Sequence, residues 1–183
     1  ALKYVCEVHV VSVDGECREL LLLLGGHCFG PVSFHCVNLG RRPVAFCMQE
    51  AETVLPVVAD VPLEYLYEPN ASVLKAGVQD ALCARFDVEK LHRNSNLFTA
   101  SRLVENFPGR AFRVQACHDF SKQSLKSLQA QMTKANLTVR NFPSTVEQLR
   151  KRLKLKDGGD VYLFATTLSG ERHVLLQCEK IKE

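Results

Sequence analysis

The residues best equipped for chemistry are eight cysteines and the histidines near them. The cysteines are Cys6, Cys17, Cys28, Cys36, Cys47, Cys83, Cys117 and Cys178, with gaps of 11, 11, 8, 11, 36, 34 and 61 residues. His9, His27 and His35 lie close to Cys6, Cys28 and Cys36, and sulfur with imidazole suits zinc. No C-x-x-C occurs, however, and alternating strands bring such residues onto inner faces by period alone. The expected state is therefore reduced thiols packed as small hydrophobes. Cys117-His118-Asp119 holds the residue types of a nucleophilic triad, but a working triad is assembled from separate segments, so this run is read as a strand end. Glu64 and Glu68 could in principle share general acid and base work, and a joint between domains accounts for them equally well. There is no G-x-G-x-x-G, P-loop, G-x-S-x-G or H-E-x-x-H. The glycine pairs Gly25-Gly26 and Gly158-Gly159 do not sit between a strand and a helix, as phosphate binding requires. No catalytic residue and no metal ligand is assigned.

Charge is the stronger signal. The formal net charge of +3 hides a division: residues 1–69 hold 4 Lys/Arg against 9 Asp/Glu, and residues 70–183 hold 19 against 11. Only the second part should seek a polyanion. Within residues 140–156, Arg140, Arg150, Lys151, Arg152, Lys154 and Lys156 face the single acid Glu147. Side chains of this kind would contact phosphates, giving salt-dependent affinity with little sequence preference. These six are the candidate residues for binding RNA, DNA or an acidic protein, against the plainer reading of a solvated helix face. Phe142 and Tyr162 are the nearby aromatics that could stack on bases, and both read more naturally as core.

The elements that must carry these groups follow from pattern. With 183 residues, 46% of them hydrophobic and 23% charged, the chain is globular and can bury about 70% of its unfolded surface without a staple. The apolar run Leu20 to Leu24 is far short of a membrane span, and no basic-then-apolar leader opens the chain. A soluble, cytoplasmic protein is expected, and a start at Ala1 is taken as a processed chain or one cut from something longer. Residues 1–62 read as β, with strands at Val8 to Ser12 and Arg18 to Leu24 around an Asp14-Gly15 turn, then Val32 to Leu39 and Val44 to Met48. Gln49 to Leu55 could form a turn or two of helix. So small a sheet should leave one face uncovered. Residues 63–110 form a joint with one helix, capped by Asn70 and running to about Phe86, and a short strand is expected at Leu97 to Thr99. From 111 to 183 the order is β-α-β-α-β-β. Ser121 opens one helix, Ser144-Thr145-Val146-Glu147 a capping box opens the next, and Val161 to Ala165 reads as a strand covered on both faces. The fold class is α/β (α+β), with parallel pairing closed by an antiparallel hairpin.

Tyr67-Glu68-Pro69-Asn70-Ala71-Ser72-Val73-Leu74-Lys75-Ala76-Gly77, Phe107-Pro108-Gly109-Arg110, Thr138-Val139-Arg140-Asn141-Phe142-Pro143 and Leu149 to Gly159 carry a resemblance. The sequence resembles the C-terminal region of a bacterial family in which a class I S-adenosylmethionine-dependent methyltransferase domain precedes a ferredoxin-like segment and a THUMP-like domain. The resemblance implies a ferredoxin-like segment over 1–62 and a THUMP-like domain over 111–183. THUMP domains are RNA-binding modules of RNA-modifying enzymes. It further implies tRNA or rRNA and the upstream methyltransferase domain as partners, with no membrane. S-adenosylmethionine would belong to the parent's other domain, and no cofactor to this chain. Two other classes stand beside it: a protein-interaction scaffold with no nucleic-acid role, and a thiol or zinc enzyme built from His27, Cys28, His35 and Cys36.

Overall fold

Asp14 and Gly15 both adopt positive φ, 50° and 84°, which turns β1 (Val5–Val13) tightly back into β2 (Glu16–Leu24). A computed structural model describes residues 4–26, 30–40, 43–50 and 55–181. His27, Cys28, Arg41, Arg42 and most of the turn expected over Gln49 to Leu55 lie outside the described residues. The chain divides into two units, one of Ala1–Pro56, Pro69–Asp87 and Asn106–Gly109, the other of Val57–Glu68, Val88–Glu105 and Arg110–Glu183.

In the first unit, β3 (Ser33–Leu39) runs parallel to β1, and β4 (Val44–Gln49) runs antiparallel to β3, giving the order β2-β1-β3-β4. Strand period then separates two faces. Val10, Ser12, Cys36, Phe46 and Met48 are buried, and α1 (Ala71–Ala76) packs against β1, β2 and β3. The opposite face carries Glu7, His9, His35 and Cys47 with substantial exposure, the uncovered face that a small sheet leaves. The single helix expected from Asn70 to Phe86 is broken. Gly77 takes φ 73° and accepts the role of left-handed C-cap, so the chain stops α1 and restarts as α2 (Ala81–Phe86). The stripe survives the break, with Val78, Ala81 and Leu82 all buried.

The second unit is built on a seven-stranded sheet. Its strands are β5 (Tyr65–Pro69), β6 (Glu89–Lys90), β7 (Phe98–Ala100), β8 (Gly109–Asp119), β9 (Asn136–Arg140), β10 (Val161–Leu168) and β11 (Arg172–Lys180), in the order β6-β7-β5-β8-β11-β10-β9. The expected β-α-β-α-β-β order is present, with β9 and β10 parallel and β10 and β11 an antiparallel hairpin. The joint is itself β: Tyr65 to Tyr67 pair with β7. One face of the sheet packs Leu137, Leu163, Ala165 and Leu175 against the two crossover helices, α3 (Lys122–Gln131) and α4 (Val146–Leu153). The other buries Leu66, Leu91, Leu97, Phe112, Phe164 and Leu176.

Candidate nucleic-acid interface

Each crossover helix is set by its cap and its apolar stripe. Ser121 caps α3, its hydroxyl accepting from the Ser124 amide at 3.1 Å. On α4 the capping box is displaced by one residue from the expected one. Thr145 is the N-cap, accepting from the Gln148 amide at 3.3 Å, while the Gln148 side chain accepts from the Thr145 amide at 3.0 Å. Thr145-x-x-Gln148 satisfies the same pattern as Ser144-x-x-Glu147, and sequence pattern alone does not choose between them. A hydrogen bond from Thr145 holds the Glu147 carboxyl below the usual carboxylate range, so this acid stays charged in the first turn, where the helix dipole favours it.

With Leu125 and Leu128 of α3 and Leu149 and Leu153 of α4 turned into one core, the polar residues face outward. Gln129 Nε2 donates to the Arg152 carbonyl at 2.7 Å, tying the helices side by side. Lys151, Arg152, Lys154 and Lys156 are exposed, as are Lys122 and Lys126 on α3 and Lys134 after it. From Ser121 to Lys156 the sequence has nine Lys or Arg and one acid, Glu147. The Arg152 guanidinium lies 4.7 Å from the centre of the half-buried Phe120 ring, a cation–π contact that holds the charge at the surface. Phe120 in turn meets Phe142 edge-on at 4.9 Å.

The six predicted residues do not all stand alike. Arg140 donates to Glu68 Oε1 at 2.6 Å and to the Val139 carbonyl at 3.0 Å, and Arg110 pairs with the second carboxylate oxygen of the same Glu68. Glu68 is 3% exposed, so Arg140 and Arg110 serve a buried carboxylate. Arg150, expected on the solvent side, is half-buried and donates to Asp157 Oδ1 at 2.8 Å. The exposed cations are thus Lys151, Arg152, Lys154 and Lys156, joined by Lys122, Lys126 and Lys134, which sequence reasoning left out. Lys122 and Lys126 stand four apart on a helix whose leucine stripe is clear, a spacing that puts both on one outer face.

The other chemical candidates resolve differently. Cys117 and Asp119 alternate with His118 along β8, and Asp119 pairs with Arg172 at 2.8 Å. Burial pushes the Cys117 thiol up, against the lowering needed for a nucleophile. Glu64 pairs with Arg113 at 3.0 Å and Glu68 with its two arginines, so both are structural partners. Cys36 is a core residue whose thiol is pushed up to about 12, first by burial and then by Cys47. His35 follows Cys36's neighbour rule of strands and faces the other way, which separates the two as joint ligands. Cys17, Cys36, Cys47, Cys117 and Cys178 are free thiols. Cys6 is disulfide-bonded, correcting the expectation of eight reduced cysteines, because pairing follows which sulfurs the fold brings together and not their spacing.

Comparison with known proteins adds family information. A THUMP domain-like family model matches residues 109–180, and a ferredoxin-like domain model matches residues 65–108. The first overlaps the stretch expected at 111–183. The second falls on the stretch expected to be a joint, and residues 1–62 lie outside both matches. No curated protein matches the chain. The crystal structure of a "putative methyltransferase" from Porphyromonas gingivalis W83 superposes with a TM-score of 0.91 and 34% sequence identity, over 100% of this chain and 47% of that one. The chain therefore spans about half the length of that protein. Among the described residues, no helix is long and apolar enough to cross a membrane.

Proposed function

Because this chain carries a ferredoxin-like domain followed by a THUMP domain-like one, we propose that it is the RNA-recognition part of an S-adenosylmethionine-dependent RNA methyltransferase. The observation that carries the reading is the exposed basic surface of α3, α4 and the residues just after each, where between Ser121 and Lys156 seven exposed cations stand against one exposed acid, Glu147. Lys151, Arg152, Lys154 and Lys156 contact phosphates, with Lys122, Lys126 and Lys134 extending the same surface along α3. Substrate is tRNA or rRNA, held by shape and backbone more than by base identity. The methyl donor and the catalytic groups belong to a methyltransferase domain of the parent protein, and this chain performs no methyl transfer by itself.

The test is binding of the chain to total tRNA and to rRNA fragments, beside a Lys151→Glu, Lys154→Glu double variant. Those two residues are chosen because both are exposed, whereas Arg150 is tied to Asp157. Expected is tight, salt-steep binding that drops at least 10-fold in the variant. Equal affinity in both proteins, or none in either, overturns the reading. A second reading, an interaction scaffold without a nucleic-acid role, draws on Leu20 to Leu24 of β2, which are 38% to 57% exposed on an edge strand. A stoichiometric protein partner purifying with the chain in the absence of nucleic acid would favour it.

A further inference from the structure

We propose that Glu7, His9 and His35 form a site for a divalent transition metal, with zinc as the fitting ion. The three residues stand together on the open face of the β2-β1-β3-β4 sheet. Glu7 and His9 are two apart on β1 and so share a face, while His35 of β3 is the register partner of His9. Parallel pairing brings the imidazoles into a stack, with ring centres 4.4 Å apart and planes inclined by 7°. Both Nε2 atoms turn to one carboxylate oxygen: Glu7 Oε2 lies 2.7 Å from His9 Nε2 and 3.7 Å from His35 Nε2. All three ligand atoms lie within 4.8 Å of one another.

Those separations lie near what a metal demands, and on binding the imidazoles would turn out of their stack so that both Nε2 lone pairs converge on one ion. Bonds of about 2.1 Å to imidazole nitrogen and carboxylate oxygen, in tetrahedral array, put ligand atoms about 3.4 Å apart, between the two observed values. Two imidazoles with one carboxylate suit zinc and its neighbours in the transition series and not calcium or magnesium, which take oxygen ligands. The side chains of Glu7, His9 and His35 are 36%, 33% and 29% exposed, so an ion can enter from solvent while strand pairing fixes the ligands. On the far side of His35, Cys47 Sγ lies 3.3 Å from Nδ1, and Cys47 is the register partner of His35 on β4. With His35 ligating through Nε2, its Nδ1–H donates to that sulfur, and the contact orients the ring. The row His9, His35, Cys47 thus crosses three strands, with two members as ligands and the third holding one of them in place. Three protein ligands leave one tetrahedral vertex for water.

Zinc titration of the metal-stripped chain against a chromophoric chelator tests the site. Expected is one zinc per chain at micromolar affinity or tighter. His35→Ala and Glu7→Gln should each weaken it at least 10-fold, and Cys47→Ala by about 10-fold. Glu7→Gln preserves size and polarity, which keeps the result separate from any loss of fold. Cobalt substitution should give a tetrahedral visible spectrum without an intense sulfur-to-metal band. Binding absent at micromolar zinc, binding unchanged in both His35→Ala and Glu7→Gln, or a strong sulfur band marking capture by the free thiols would overturn the assignment.

Discussion

Glu68 shows how one residue joins sequence-distant parts of the second unit. It is buried at the end of β5, and its two oxygens receive guanidinium groups from Arg110 and Arg140, 42 and 72 residues away. A buried carboxylate without partners is costly, so the arginines are held there by its charge and it by theirs. Glu68→Gln is expected to lower unfolding stability by about 2 kcal/mol through loss of charge-assisted bonds, checked by urea denaturation. An Arg140→Ala change on the Glu68→Gln background should add less than it does alone, since the two share one interaction. The thiols supply a pH prediction. Cys36 has its pKa raised from 9.0 to about 12, so stability is full below pH 9 and is lost as pH rises toward 12, because the unfolded chain releases the proton first. Burial raises Cys178 and Tyr67 in the same direction. Urea midpoints should therefore fall between pH 9 and 11, and Cys36→Ala should flatten part of that fall.

At the scale of the element, α4 combines a cap, a stripe and a charged face. Thr145→Ala should destabilise by about 1 kcal/mol, because the Gln148 amide loses its acceptor. Ser144→Ala should cost much less, and thermal unfolding of the two variants distinguishes the caps. Leu153 is 1% exposed under the basic face, so Leu153→Ala should cost about 3 kcal/mol and disturb RNA binding only through the fold. The broken helix from Asn70 to Phe86 teaches a related point. Its stripe of Val78, Ala81 and Leu82 has helical spacing, yet the left-handed Gly77 interrupts it, since apolar periodicity tolerates a turn that keeps the same face buried.

For the whole molecule, the division of charge between acidic first part and basic second part makes salt the decisive variable. If about four exposed cations engage RNA phosphates, affinity should fall roughly 50- to 150-fold between 50 and 200 mM salt, the larger fall for duplex regions. Filter binding or fluorescence anisotropy across that range measures the slope, and Lys151→Glu, Lys154→Glu should flatten it. Much of this could be read from sequence. The Asp14-Gly15 hairpin, the β-α-β-α-β-β order, the apolar central strand β10 and the basic run all rest on periodicity and turn chemistry, which act over a few residues and are written in local order. What remained for tertiary structure was partnership across distance. That Arg140 belongs to Glu68, that Arg150 belongs to Asp157, that Lys122 and Lys126 share a surface with α4, and that His9 meets His35 across parallel strands all depend on register and packing between segments tens of residues apart. Sequence spacing carries no information about such pairings, because the free energy that selects them comes from burying whole strand and helix faces together.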